Sequence, residues 1–359
     1  MAARITAPAV VAVIVCALAP AYADVNLSLY GNLDGVIKTT GTRATTEDGF
    51  SAAQLDLFAT ATEGRWSLLT ETLFEANDEN EFVLDVERIQ VGYLVREWLR
   101  VSVGRFHTAI GYYNDAFHHG TYFMMAVSRP AMVSFEDEGG LIPAHNVGVH
   151  ADGRFTVGES HLRYDVELAN GHGADALAIQ NAHDGDRAKM GNLRLRYEPG
   201  GSLEGLVIGG NLAFDGISRI AMSTEPGAPA PRPALHEWIV GAHAAYLAHD
   251  VQLITEAMLL QRTEVDTGVP HRTYAMFVEA GRTIDDVTPY ARYELARFPD
   301  DPDPYTQKTT TDDYQTATLG VKHSTTENVA LKAEAAVTFS RAPGSDPLFV
   351  LTAQLAFAF

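Results

Sequence analysis

The final eleven residues of this 359-residue chain alternate between two kinds of side chain. Apolar and mostly large side chains occupy one parity, at Phe349, Leu351, Ala353, Leu355, Phe357 and Phe359. The other parity is small or polar at most positions, including Thr352 and Gln354. Alternation with a period of two places one set on each face of a β-strand. The chain is therefore predicted to end in a strand with one apolar and one wet face.

The same alternation recurs along the chain in sixteen segments bounded by turn-forming residues. In segment 160–169, for example, Leu162 and Leu168 lie on one parity, and Asp165 and Glu167 lie on the other. The segments are 26–37, 50–62, 65–75, 82–95, 98–106, 144–152, 160–169, 189–198, 203–214, 235–248, 250–263, 271–281, 287–298, 313–323, 328–340 and 348–359. This series predicts an all-β chain.

The connections between the segments alternate in length. The shortest connections are 63–64, 96–97, 199–202 and 249–250, and the longest are 38–49, 107–143, 170–188, 215–234 and 299–312. Short turns at one rim and long loops at the other are typical of bacterial transmembrane barrels. We predict an antiparallel transmembrane β-barrel of about 16 strands, with fourteen or eighteen as alternative counts.

A charged strand face is also compatible with the solvated side of a soluble antiparallel sheet. Here, however, charged residues recur on one face of strand after strand. Charges are costly in lipid, so in a membrane barrel they must line the lumen. A ring of sixteen strands is wide enough to enclose an aqueous channel.

The first 23 residues have the pattern of a secretory signal. Arg4 precedes a short apolar run at 9–19, and Ala21-Tyr22-Ala23 has the form of a cleavage site. We expect residues 1–23 to be removed and residues 24–359 to form a single barrel domain. The only cysteine, Cys16, would be removed with the signal.

Charge excludes one class of partner. The chain has 46 acidic and 26 basic residues and a formal net charge of −20. Nucleic-acid binding depends on neutralising phosphates with basic residues, so a nucleic-acid partner is not expected.

Two short motifs flank or lie within the longest connection, 107–143. Gly-Arg-Phe occupies 104–106 at its entry, and Phe-Glu-Asp-Glu-Gly-Gly occupies 135–140. With the terminal Phe359, these features resemble the Gram-negative outer-membrane porins, both the general porins and the phosphate-selective porin-like group. In general porins a long loop after the fifth strand folds into the lumen and narrows it.

The resemblance implies a water-filled outer-membrane channel for passive diffusion of small hydrophilic solutes or ions, constricted by the loop 107–143. It also implies contact with outer-membrane lipids, a possible homotrimer, no catalysed reaction and no cofactor. The chain departs from the general porins because the tip lacks their Pro-Glu-Phe-Gly-Gly order. It lacks the lysine cluster expected for trapping phosphate, so phosphate selectivity is not inferred. The acidic excess predicts a modest cation preference.

Carboxylates on an inner loop facing arginines on the wall would create a transverse field across a narrow aqueous gap. The candidates for the negative side are Glu136, Asp137 and Glu138; those for the positive side are Arg100, Arg105, Arg163, Arg194 and Arg196. The alternative is that the three acids form a solvated loop and that the arginines pair with lumen carboxylates to hold the barrel together.

Three further readings stay open. His107, His118 and His119 in the long connection are candidate ligands for a divalent transition metal, although the adjacent pair has an unfavourable spacing. A barrel enzyme of the lipase or protease type is a second reading, but no G-x-S-x-G motif is present and no catalytic residue is assigned. A structural barrel that binds a partner protein is the third.

Overall fold

The computed structural model describes residues 24–40, 45–76, 81–117, 120–135, 138–174, 176, 188–218, 233–303, 305–306, 312–341 and 345–359. The expected signal, residues 1–23, lies outside this part of the chain. The strands are β1 (Asp24–Thr40), β2 (Thr45–Glu63), β3 (Trp66–Ala76), β4 (Phe82–Arg96), β5 (Leu99–His107), β6 (His145–Val157), β7 (Ser160–Ala169), β8 (Met190–Glu198), β9 (Leu206–Ser218), β10 (Pro233–Ala248), β11 (Val251–Glu264), β12 (Pro270–Arg282), β13 (Val287–Arg297), β14 (Tyr314–Ser324), β15 (Val329–Ser340) and β16 (Leu348–Ala358).

These strands form one closed antiparallel barrel in which each strand pairs with its neighbours in sequence. The last strand closes the ring against the first, with register pairs from Tyr30↔Ala358 to Thr40↔Leu348. Phe359 extends this seam, because its backbone N–H donates to the Leu29 carbonyl oxygen at 2.8 Å. The predicted barrel of about 16 strands is confirmed.

The two rims of the barrel differ as the sequence predicted. Tight turns close one rim, which we call the short-turn rim; between β10 and β11, for example, His249 and Asp250 both adopt positive φ, at 54° and 61°. The opposite rim, the long-connection rim, carries the 108–144 connection. A two-residue turn with positive φ at both positions matches the right-handed twist of the paired strands.

One predicted long connection is wrong in extent. The segment 38–49 is mostly strand, because β1 continues to Thr40 and β2 begins at Thr45, and these two residues pair. Backbone hydrogen bonds hold an antiparallel pair together without apolar side chains, so the ladder runs beyond the part that alternation marks. The connection predicted at 215–234 is likewise shortened, to 219–232.

The two faces of the wall have opposite chemistry. On β7 the exposed fractions are 41% for Leu162 and 59% for Leu168 on the outside, against 3% for Asp165 and 2% for Glu167 on the inside. An apolar outer band and a polar interior are what a lipid bilayer and an aqueous lumen require. The predicted assignment of charged residues to the lumen is confirmed for this strand.

The connection 108–144, here called the inner loop, lies inside the barrel over the residues that the structure describes, 108–117, 120–135 and 138–144. It contains one short helix, α1 (Tyr113–Ala116), and a 3-10 turn at Ala131–Val133. A second 3-10 turn, Gly201–Leu203, lies between β8 and β9. Among the described residues, none of the helices has the length and apolarity that crossing a membrane requires.

The main hydrophobic core lies between the inner loop and one side of the wall. Its members from the loop are Ile110, Tyr113, Met124, Met132, Val133, Leu141 and Ile142, and those from the wall include Met190, Ile239, Ile254, Met258 and Phe277. Apolar burial of this kind stabilises packing in proportion to the area removed from water. The inner loop is therefore packed against β8 and β10 to β12.

Candidate functional site

Buried wall carboxylates accept hydrogen bonds from the backbone of the inner loop. The N–H of Ala109 donates to the Glu167 carboxylate at 2.7 Å, and the N–H of Tyr113 donates to that of Glu256 at 2.5 Å. In the same way, Val127 donates to Glu334 at 2.9 Å and Ala131 donates to Glu294 at 2.6 Å. These acceptors come from β7, β11, β15 and β13. Buried backbone N–H groups are costly without an acceptor, so four separate strands fix the path of the loop.

Cations on the wall bind carbonyl oxygens of the same loop. Arg194 donates to the Gly111 carbonyl oxygen at 2.9 Å, and Arg292 donates to that of Ser128 at 2.7 Å. Lys332 donates to the carbonyl oxygen of Ala126 at 3.0 Å. Buried backbone groups are costly without partners. Wall side chains of both signs therefore allow an irregular segment to lie inside the barrel.

The inner loop extends along the whole height of the lumen. It leaves β5 at the long-connection rim, and Tyr122 donates its hydroxyl hydrogen to the Glu327 carbonyl oxygen at 2.7 Å. Glu327 lies in the turn between β14 and β15, at the short-turn rim. Lys322, near the end of β14, donates to the Tyr122 carbonyl oxygen at 2.5 Å. The loop thus crosses from one rim to the other along the β14–β15 side.

A cavity of about 390 Å³ remains on the side of the lumen that faces away from the hydrophobic core at β8 and β10 to β12. It lies between the loop and the wall formed by β1 to β4, β6 and β16, and we call it the lumen cavity. Its lining residues are Asn32, Asp34, Gln54, Leu73, Glu75, Ala76, Glu87, Thr121, Val127, Ser128, Arg129, Ser134, Phe135, Glu138, His145 and Gln354. This cavity is the candidate functional site.

The lining of the lumen cavity is more acidic than basic. Asp34, Glu75, Glu87 and Glu138 contribute carboxylates, and Arg129 contributes the guanidinium. Arg129 is held within the loop: it donates to the Val133 carbonyl oxygen at 2.8 Å and lies over the Phe135 ring at 4.6 Å from the centroid. A water-filled gap lined by carboxylates concentrates cations.

Two of the predicted wall arginines contact the inner loop. Arg194 and Arg196 lie 2.7 and 3.7 Å from the Asp115 carboxylate on α1. Both also pair with Asp165 of β7, at 2.9 and 3.3 Å. The loop carboxylate opposite these arginines is therefore Asp115, which the sequence analysis did not select.

The other predicted residues lie elsewhere. Arg100 pairs with Asp152 at 2.9 Å and Arg163 with Glu198 at 2.6 Å, both near the short-turn rim. Arg105 is buried and donates to the Glu87 carbonyl oxygen at 3.0 Å. Glu138 is exposed and lines the lumen cavity, whereas Glu136 and Asp137 lie outside the described residues. The constriction role of these residues stays a prediction.

The entry to the inner loop requires a glycine. Gly104 adopts a φ of 134°, and a Cβ there would lie 2.0 Å from the Ile89 carbonyl oxygen. This close approach of β5 to β4 accompanies the hydrogen bond from Arg105 to the backbone of Glu87. Of the candidate metal ligands, His107 is the last residue of β5, and the pair at 118–119 lies outside the described residues.

The pKa of Asp115 is set by the two arginines. Desolvation at the wall opposes ionisation, but the positive charges of Arg194 and Arg196 outweigh it and hold the pKa of this carboxyl below its usual value. A depressed folded-state pKa stabilises the fold above the unfolded pKa, about 4. That contribution is lost as the pH falls through the folded-state value.

Replacing Asp115 by asparagine is therefore expected to have a pH-dependent effect. At neutral pH the Asp115→Asn protein should lose about 1 kcal/mol, a small value because the carboxylate is partly exposed to solvent. The difference from the unsubstituted protein should shrink below about pH 4, where that carboxyl becomes protonated in the unfolded chain, and vanish below its lower folded-state pKa. Thermal unfolding of both proteins, followed by circular dichroism across a pH series, measures this difference in stability. A difference that is constant down to strong acid would contradict this assignment.

Comparison with known proteins relates the fold to solved structures. No protein-family model matches the sequence, and no curated protein sequence matches it. The chain is similar to the anion-selective porin from Comamonas acidovorans, with a TM-score of 0.63, 12% identity, and coverage of 94% of this chain and 100% of that one. The chain is also similar to the outer membrane channel DcaP of Acinetobacter baumannii, with a TM-score of 0.58, 12% identity, and coverage of 94% of this chain and 99% of that one.

The trimer form of in-vitro folded OmpT, an outer membrane protein of Vibrio cholerae, gives a TM-score of 0.57 at 12% identity. The match covers 94% of this chain and 100% of that one. Identities this low establish the fold alone. The fold of this chain, a closed barrel of sixteen strands, is similar to the folds of these outer-membrane porins and channels.

Proposed function

We propose that the protein is an outer-membrane channel through which small hydrophilic solutes and ions diffuse passively. The observation that supports this most directly is the lumen cavity: the inner loop is fastened to the β7–β15 side and leaves a polar gap beside β1 to β4. The fold likeness to porins and channels supports the location. The proposal assigns no catalysed reaction and no cofactor to the barrel.

The inner loop would set the size limit for solutes, because it occupies the lumen from rim to rim. The Comamonas porin is described as anion-selective. The lining of this chain favours the opposite preference, since carboxylates of Asp34, Glu75 and Glu138 face the cavity and Arg129 is held by loop carbonyl oxygens. A homotrimer is part of the proposal, by likeness to the trimer form of OmpT.

Conductance and reversal potential in planar bilayers test this proposal. The mature chain, 24–359, should give discrete open steps and a reversal potential that favours cations in a salt gradient. The double variant Asp34→Asn with Glu138→Gln should move the reversal potential toward zero, because it removes two negative charges from the lumen cavity. The matched control is Asp266→Asn, which neutralises one exposed carboxylate in the connection between β11 and β12.

Each arm has an outcome that contradicts it. Stable insertion without conductance would contradict the channel. A reversal potential that favours anions would contradict the cation preference. An equal shift per neutralised charge in the Asp266→Asn control would show that external charge, rather than the lumen cavity, sets the selectivity.

A further inference from the structure

Two imidazoles and one carboxylate converge at the long-connection end of the wall. Glu87 comes from β4, His107 is the last residue of β5 and His145 is the first residue of β6. One ligand atom from each residue lies within 4.8 Å of those of the other two. The two histidines are cross-strand partners with ring centroids 5.3 Å apart, and His145 Nε2 contacts the Glu87 carboxylate.

The cluster is held by a surrounding set of contacts. The carboxylate of Glu71 lies 3.5 Å from His107 Nε2 and accepts a hydrogen bond from Arg88 at 2.5 Å. Phe135 of the inner loop stacks on the His145 ring, with centroids 6.1 Å apart and planes 12° from parallel. Outer partners of this kind orient metal ligands and tune their basicity.

Imidazole nitrogens and a carboxylate oxygen are ligands for divalent transition metals such as zinc and copper. Such donors lie about 2 Å from a zinc ion, so atoms bound to one ion are at most about 4 Å apart. The ligand atoms of the cluster lie within 4.8 Å of one another, so binding one ion requires side-chain shifts of about 1 Å or less. Since three protein ligands leave a tetrahedral ion with one open position, water could complete the shell.

An ion has a route to this cluster. Glu87 and His145 are among the residues that line the lumen cavity, so an ion in the cavity lies next to two of the three ligand residues. All three ligand residues are otherwise buried. From this geometry we propose that Glu87, His107 and His145 bind one divalent transition-metal ion on the wall of the lumen cavity.

A second cluster of possible metal ligands in the barrel has an arginine in direct contact with its carboxylate. His172, Asp215 and Glu237 also bring ligand atoms within 4.8 Å of one another. There, however, the Glu237 carboxylate pairs with Arg262 at 2.6 Å. A guanidinium next to the carboxylate repels a metal cation and competes for its oxygen atoms. The second cluster therefore provides a matched control for the first.

The proposal is tested by metal binding, independently of transport. The mature protein, prepared without a histidine tag and treated with a chelator, is titrated with Zn²⁺ by isothermal calorimetry. One ion should bind per chain. His145→Ala and the more conservative Glu87→Gln should each raise the dissociation constant at least about tenfold, and the control His172→Gln should leave it unchanged.

Three outcomes would overturn the proposal. The first is no zinc binding to the unsubstituted protein. The second is a dissociation constant in His145→Ala and Glu87→Gln equal to that of the unsubstituted protein. The third is loss of binding in a His118→Ala, His119→Ala double variant but not in His145→Ala, which would assign the ion to the other loop histidines. Heat-modifiable migration on gels confirms that each variant is folded before titration.

Discussion

Replacing residues 113–135 with a flexible glycine–serine linker is expected to raise single-channel conductance several-fold. These residues include α1, the Tyr122 contact at the short-turn rim and Arg129. Without them the sixteen-stranded ring would enclose a wide aqueous lumen, as porin barrels of this size do. Planar-bilayer recordings give the step size, and swelling of proteoliposomes in sugars of increasing size gives the new exclusion limit.

The matched control replaces residues 265–269, the connection between β11 and β12 at the same rim, with a similar linker. That connection is exposed and does not line the lumen cavity. Its replacement should leave conductance unchanged. If the protein with residues 113–135 replaced gives the original step size, the loop does not limit the current, and the proposed role of the lumen cavity is wrong.

The barrel itself was predictable from sequence because alternation is a local property of each strand. Leu162 and Asp165 reveal their faces by parity alone, and the short turns mark where strands end. The strand ends were less predictable. β1 and β2 extend into the polar segment up to the Thr40↔Thr45 pair, because backbone hydrogen bonds continue where side-chain alternation stops.

The inner loop was predictable as a segment, but its path was not. Arg194 is 79 residues from Asp115, and no periodic pattern relates a loop to the strand that it contacts. The path depends on matching loop N–H groups to single carboxylates such as Glu256, which look like ordinary lumen charges in the sequence. The positions of Arg100 and Arg163 at the short-turn rim could be predicted from the sequence, since both lie close to short turns.

One side of the lumen is built as a network of charges, and Arg292 is its centre. This buried arginine of β13 pairs with Glu279 at 3.1 Å and Glu294 at 3.2 Å. It also donates to the carbonyl oxygen of Ser128 in the inner loop at 2.7 Å. Glu294 in turn accepts from the loop N–H of Ala131 at 2.6 Å. The same residues therefore hold both the wall and the loop.

Replacing Arg292 by methionine is expected to lower the free energy of unfolding by about 3–5 kcal/mol. The loss arises because Glu279 and Glu294, both buried, are left near each other without their cation. Denaturant unfolding in detergent, followed by tryptophan fluorescence, measures the change. The control Arg100→Met breaks an ion pair whose guanidinium side chain is 50% exposed, and such pairs contribute about 0–1 kcal/mol.

The double variant Arg292→Met with Glu279→Gln separates the two sources of the loss. If uncompensated negative charge causes the destabilisation, removing one carboxylate should restore part of the free energy of unfolding. If lost packing or the lost bond to Ser128 causes it, the second substitution should give no recovery. Equal destabilisation by Arg292→Met and Arg100→Met would contradict the central role of the Arg292 network, because, of the two arginines, only Arg292 is buried, binds two carboxylates and holds the inner loop.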